Sequence, residues 1–108
     1  MKLYGLYSGN ELMYVDTVGE TTMDWCDKCN YHLGILSNGG QHENELYKFL
    51  LEGKEEGKKI YMVPMHEVPG MDVESVRHAL VYALRPIGNW EEWKEEEERE
   101  EQERLREG

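Results

Sequence analysis

The sequence predicts an α+β fold: a small three-stranded antiparallel sheet flanked by helices in the order ββααβα, followed by an acidic C-terminal helix. Three observations predict it. Two short runs rich in aromatic and β-branched residues flank Ser8-Gly9-Asn10-Glu11, a pattern that reads as a β-hairpin. Apolar residues then recur at helical spacing in three later segments, with one strand-like run between the second and third. Beyond Trp93 the chain holds a single large apolar residue, Leu105, among many glutamates.

Leu3 to Tyr7 and Leu12 to Val18 form the hairpin strands, and the glycine and asparagine between them suit a tight turn. Thr21 or Thr22 can cap a first helix in which Met23, Cys26, Asn30 and Leu33 share a face, with Gly34 placed to end it. After the loop Ser37-Asn38-Gly39-Gly40, Asn44 can cap a second helix that turns Leu46, Phe49 and Leu50 inward and stops at Gly53. Ile60 to Met65 reads as the third strand, and Pro69-Gly70 as a turn. Asp72 then caps a third helix carrying Val73, Val76, Leu80, Ala83 and Leu84, which Pro86 terminates.

Twenty-three Asp and Glu against 12 Lys and Arg give a formal charge of −11 over 108 residues. That balance argues against sequence-blind gripping of nucleic acid through a broad basic face. The division of charge suggests two parts. Residues 91–108 hold ten Glu against Lys94, Arg99, Arg104 and Arg106, a balance of −6, which leaves −5 for the body of residues 1–90. The tail is expected to be a solvated, fraying helix, with Glu95–Arg99 and Glu100–Arg104 pairs along it and Trp90 and Trp93 pinning its first turn. It serves either as a solubilising extension or as a decoy for a basic surface. No run of about 18 apolar residues and no signal-peptide core is present, so a cytoplasmic protein with no membrane partner is expected. Walker-type lysine loops, dinucleotide-binding glycine fingerprints and nucleophile-elbow serines are absent.

Gly5-Leu6-Tyr7, a short hairpin and Tyr14-Val15-Asp16 resemble the opening of the GIY-YIG nuclease superfamily, whose two name-giving tripeptides lie on adjacent strands about ten residues apart. The resemblance continues through Lys28 and His32 on the first helix, Asn44-Glu45-Leu46, strand Ile60 to Val63, and Glu74 on a helix finishing Leu84-Arg85-Pro86-Ile87-Gly88-Asn89. It covers the chain from about Leu3 to Asn89. It implies a metal-dependent endonuclease that hydrolyses phosphodiester bonds in nucleic acid, with Tyr7, Tyr14, Lys28, His32 and Glu74 in the site. Tyr7 would act at the attacking water, Lys28 would steady the scissile phosphate, and Glu74 would hold one Mg²⁺ or Mn²⁺. A phenol with an ordinary pKa near 10 is a poor base at neutral pH, so such a site needs a cation or metal-bound water beside Tyr7. One carboxylate ligand suits a Mg²⁺ that keeps most of its waters.

Two departures from the superfamily pattern bear on activity. Asp16 stands where the resemblance implies glycine, and it brings a negative charge to a phosphate site unless it serves as a second metal ligand. Lys28 stands where an arginine is implied, and lysine lacks the planar fork that grips two phosphate oxygens. Each residue also has a structural reading. Tyr7 and Tyr14 are ordinary strand aromatics, while Glu74 suits a helix N-terminus and His32 a C-terminus through the helix dipole. Cys26, Cys29, His32 and His42 could hold zinc, but residues three apart in one helix do not form a zinc knuckle. The plainer expectation is Cys26 in the core as a small hydrophobe and Cys29 as a partly exposed thiol.

Lys54, Lys58 and Lys59 form the one basic cluster of the body, opposed by Glu55 and Glu56. A second class of function therefore stands beside the first. It is a nuclease-fold protein impaired in catalysis that uses its acidic surface or tail to bind a basic protein partner as a nucleic-acid mimic. Small acidic proteins of that kind resemble phage-encoded inhibitors of host nucleic-acid enzymes.

Overall fold

A computed structural model describes residues 1–19, 24–37 and 45–107. Two strands open the chain, β1 (Lys2–Ser8) and β2 (Glu11–Val18). They are joined by a two-residue turn in which Gly9 takes φ +60, a conformation that glycine adopts without steric cost. Helices α1 (Trp25–Ser37) and α2 (Glu45–Glu55), strand β3 (Ile60–Glu67) and helix α3 (Val73–Leu84) follow, then a 3₁₀ turn, Ile87–Asn89, and helix α4 (Trp90–Glu107). The expected class and element order are those observed. The sheet is antiparallel with β1 in the centre, order β2-β1-β3.

Each face of the sheet has its own core. Tyr4, Leu6, Met13 and Val18 pack with Leu46, Tyr47 and Leu50 of α2, joined by Trp25, Ile35 and Leu36 of α1. On the other face Leu3 and Val15 pack with Val73 and Val81 of α3, joined by Val76, Leu80 and Trp93. The 3₁₀ turn is tied to β2 by Asn89, whose amide accepts from Val15 N at 2.8 Å and donates to Val15 O at 3.0 Å. This side chain takes the place of a neighbouring strand, and removing it would strand both backbone groups at a cost of about 1–3 kcal/mol each. Gly88 permits the approach, since a Cβ there would lie 2.6 Å from Met13 O.

Several local expectations need correction. Asp24 caps α1, its Oδ1 accepting from Asp27 N at 2.8 Å, while Thr21, Thr22, Met23 and Asn44 lie outside the described residues. The buried stripe of α1 runs through Trp25, Cys29, His32, Ile35 and Leu36, and Leu33 is 59% exposed. The helix continues three residues past Gly34 to Ser37, because packing of Ile35 and Leu36 outweighs the glycine's preference for ending it. Gly53 lies inside α2, buried against Ser8, and the reversal comes at Gly57 with φ +87. The inward stripe of α3 passes through Val81, leaving Ala83 and Leu84 exposed.

The tail departs most from expectation. It docks along α3 through polar contacts: Arg77 to Glu92, His78 to Glu96, Tyr82 to Glu100 and Arg85 to Glu97. Trp93 enters the second core and its indole donates to Pro86 O at 2.9 Å. Trp90 stays exposed beneath Lys94, whose Nζ lies 4.3 Å from the ring centroid. Among the described residues, the ion pairs along the helix are Lys94–Glu98 and Glu96–Arg99 in place of those expected. An apolar stripe was missing from the sequence, but spaced carboxylates facing cations and a phenol supply the contact instead. No helix among the described residues is long and apolar enough to cross a membrane.

Candidate functional site

Cross-strand partners share a face of a sheet, and the pairs Tyr4↔Asp16 and Leu6↔Tyr14 place all four residues on the face covered by α1 and α2. Between Leu6 and Tyr7 the register slips by one residue, a β-bulge at Met13. The slip puts Met13 and Tyr14 in the same core. Helix α1 presents Lys28 and His32, one turn apart, to this face.

His32 is the centre of the buried layer. Its Nε2 lies 2.8 Å from the Tyr4 hydroxyl and its Nδ1 2.9 Å from the Tyr47 hydroxyl. A neutral imidazole has one donor and one acceptor nitrogen, so it donates to one phenol and accepts from the other. The rings of Tyr14 and Tyr31 stand edge-on to His32 at 6.3 and 5.4 Å between centroids. Tyr4 is wholly buried and His32 is 5% exposed.

Above them lies a partly exposed layer. The Tyr14 hydroxyl donates to Asp16 Oδ2 at 3.0 Å, and Asp16 Oδ1 accepts from Thr17 N at 2.8 Å. Lys28 Nζ stands 3.7 Å from the same Oδ2 and 5.7 Å from the centroid of the Tyr31 ring. Phenol, carboxylate and ammonium thus form a short chain at the surface, backed by the histidine.

Burial governs the charges of these groups. It raises the phenols of Tyr4 and Tyr14 well above their ordinary value, and the Asp16 carboxylate adds to both shifts; the Arg77 guanidinium acts on Tyr14 in the opposite sense. Tyr47 is pushed up to about 12, by burial first and then by Tyr31 and Asp16. His32 is lowered to about 4 by burial and by Lys28, against a smaller upward pull from Asp16. At neutral pH the layer therefore consists of neutral phenols and a neutral imidazole. These groups donate hydrogen bonds well and take protons poorly.

That depression makes stability depend on pH. The unfolded histidine protonates near 6.5, whereas the folded one resists protonation down to about 4. The unfolded state therefore binds more protons throughout that window, and stability falls as pH drops through it. The loss expected by pH 4 is about 3 kcal/mol. Urea midpoints measured from pH 7 to 4 check this, and the loss between pH 6.5 and 4 should shrink sharply in His32→Gln.

Of the residues singled out from the sequence, Tyr14, Lys28 and His32 come together and Tyr7 does not join them. A Cβ at Gly5 would point at the Tyr7 ring, Leu12 and Met65, which places Tyr7 on the opposite face, among neighbours of the second core. No hydrogen bond or ion pair joins Tyr7 to another of the five among the described residues. Glu74 stands in the first turn of α3, its side chain 72% exposed and 3.3 Å from Arg77 Nε. As a metal ligand it would be a lone oxygen donor, and no group of three His, Cys, Asp or Glu that could hold an ion is formed among the described residues. Asp16 has one oxygen bonded to the Tyr14 hydroxyl and the other to Thr17 N. This donor set suits at most a Mg²⁺ or Mn²⁺ that keeps most of its waters and completes its shell with substrate phosphate.

Cys26 is exposed and not in the core as expected, whereas Cys29 is partly exposed as expected, with Sγ 3.2 Å from Met62 Sδ and its thiol raised by burial and by Cys26. The helical stripe passes through position 29 and not 26, which explains the exposure of Cys26. Both nitrogens of His32 are taken by tyrosines, so it is not available to zinc without breaking that pair of bonds. His42 lies outside the described residues.

Tyr4, Asp16 and Tyr47 belong to the cluster but were not chosen as site residues from sequence. A signal for Tyr4 was present: Tyr4 and Tyr14 are ten positions apart, the spacing of the two tripeptides in the resembled superfamily, whereas Tyr7 and Tyr14 are seven apart. No protein-family model, curated protein or solved structure matches this chain.

Proposed function

We propose that the chain is a nuclease-fold domain of GIY-YIG type that acts on phosphodiester bonds at the surface formed by Tyr14, Lys28 and Asp16. The observation that supports it best is the convergence of two tyrosines, ten residues apart on neighbouring strands, on His32, with a cation one helical turn before it. In this reading Tyr14 and Lys28 meet the phosphate. Tyr4, His32 and Tyr47, sealed from solvent, hold the site's shape as positioning residues.

The chemistry follows from the protonation states. Neutral Tyr14 and charged Lys28 can both donate to phosphate oxygens, where charge accumulates during phosphoryl transfer. A divalent ion bound through Glu74 would supply further charge neutralisation. Asp16 works against this arrangement, because its carboxylate occupies the hydrogen bond and the ion pair that a phosphate would take.

Nicking of supercoiled plasmid in Mg²⁺ or Mn²⁺ tests the reading. Asp16→Gly, which frees Lys28 and Tyr14, is expected to raise the rate about tenfold or more, and Lys28→Gln to lower it about 100-fold, the scale of losing one charge-stabilising donor. A rate indifferent to both substitutions would place cleavage elsewhere or attribute it to a contaminant.

A second reading is favoured by one observation: Lys28 and Arg77 are each already held by carboxylates of the same chain. A domain so neutralised can instead serve as an acidic ligand for a basic protein. Wild type and Asp16→Gly would then both fail to nick, and one partner would be recovered from lysate only while residues 91–108 are present.

A further inference from the structure

We propose that Arg77, at the seam of α3 and α4, is a phosphate-binding side chain and that Glu92 of α4 occupies it as an internal stand-in for a nucleic-acid phosphate. The inference rests on the nuclease-type reading for the class of its ligand.

Arg77 provides the planar fork that Lys28 lacks. Its two terminal nitrogens meet the two carboxylate oxygens of Glu92, Nη1 to Oε2 at 2.9 Å and Nη2 to Oε1 at 2.5 Å. Two parallel bonds of this kind fit a carboxylate and a phosphate equally well. Nε points the other way, to Glu74 at 3.3 Å, the residue that the resemblance marks as a metal ligand. The guanidinium side chain is 17% exposed and Glu92 28% exposed, so the pair sits at the surface and a ligand can reach it.

The tail does not need to leave for the exchange to happen. Trp93 anchors α4 in the second core and to Pro86 O, and His78–Glu96, Tyr82–Glu100 and Arg85–Glu97 hold it further along. A phosphate can therefore displace one carboxylate while the helix stays docked. Glu92 and Glu74 together lower the affinity for any polyanion, which makes the chain a weak, salt-sensitive binder until Glu92 is displaced. A purely structural Arg77–Glu92 pair would fasten α4 and have no bearing on nucleic acid.

Fluorescence anisotropy with a short labelled DNA duplex, at low salt and without divalent ions, separates the two. Glu92→Gln keeps the size and one acceptor of the side chain and is expected to bind about tenfold more tightly than wild type, with a log–log salt slope steeper by about 1. The gain should vanish in Glu92→Gln/Arg77→Gln and be much smaller in Glu96→Gln, which removes the same charge one turn along. Circular dichroism on each variant verifies folding. Equal binding by wild type and Glu92→Gln overturns the proposal, as does a gain that persists without Arg77 or is matched by Glu96→Gln. The nuclease reading fails separately. Arg77-dependent binding with no Tyr14-dependent nicking would leave the phosphate site standing and remove the hydrolase, and the converse result would do the reverse.

Discussion

His32→Leu is expected to lower the folding free energy by about 1–3 kcal/mol, a large part of the stability of a domain this size. The imidazole bridges the hydroxyls of Tyr4 and Tyr47 inside the first core, and leucine fills similar space without bonding to either. The wholly buried Tyr4 hydroxyl sets the scale, since a buried polar group that loses its hydrogen bond costs about 1–3 kcal/mol. The informative measurement is the cycle with Tyr4→Phe. Removing both ends of a buried hydrogen bond is far cheaper than removing one, so the double variant should be more stable than the sum of the singles predicts by at least about 1 kcal/mol. Additive urea-unfolding energies would mean that the Tyr4–His32 contact contributes only packing.

Tyr14→Phe is expected to reduce plasmid nicking about 100-fold or more, while Tyr7→Phe leaves the rate within about twofold of wild type. The contrast arises from the two faces of the sheet. The Tyr14 hydroxyl reaches Asp16 and the surface beside Lys28, whereas the Tyr7 ring lies with Leu12 and Met65. Neither change should affect folding greatly, since phenylalanine preserves each ring's packing, and equal melting temperatures would verify that. A large loss in Tyr7→Phe with none in Tyr14→Phe would transfer the reaction to the opposite face and end the present assignment.

Burial also constrains what the phenols can do. The same desolvation that holds Tyr4, Tyr14 and His32 neutral makes them poor bases at pH 7. In the proposed reaction the proton acceptor would then be a carboxylate, solvent or a metal-bound water, with the tyrosines acting as hydrogen-bond donors.

The hairpin and the element order were legible in the sequence because they rest on local signals: a Gly-Asn turn, alternation and helical spacing. The side of the sheet that each tyrosine occupies was not local. A two-residue turn that pairs Ser8 with Glu11 and Tyr7 with Leu12 would, if continued without interruption, set Tyr14 opposite Gly5 and on the Tyr7 face. One extra residue at Met13 moves it opposite Leu6 and onto the face of Tyr4 and His32. The bulge also puts Met13 in the first core beside Tyr14, where α2 and the 3₁₀ turn pack, contacts between segments far apart in the chain. The tail followed the same rule. Its own composition offered no face to bury, and only the cations and phenol of α3 standing opposite Glu92, Glu96, Glu97 and Glu100 made it a docked helix. Period and turn chemistry act within a few residues and so survive in the sequence, while register, facing and ion pairing depend on which distant surfaces meet.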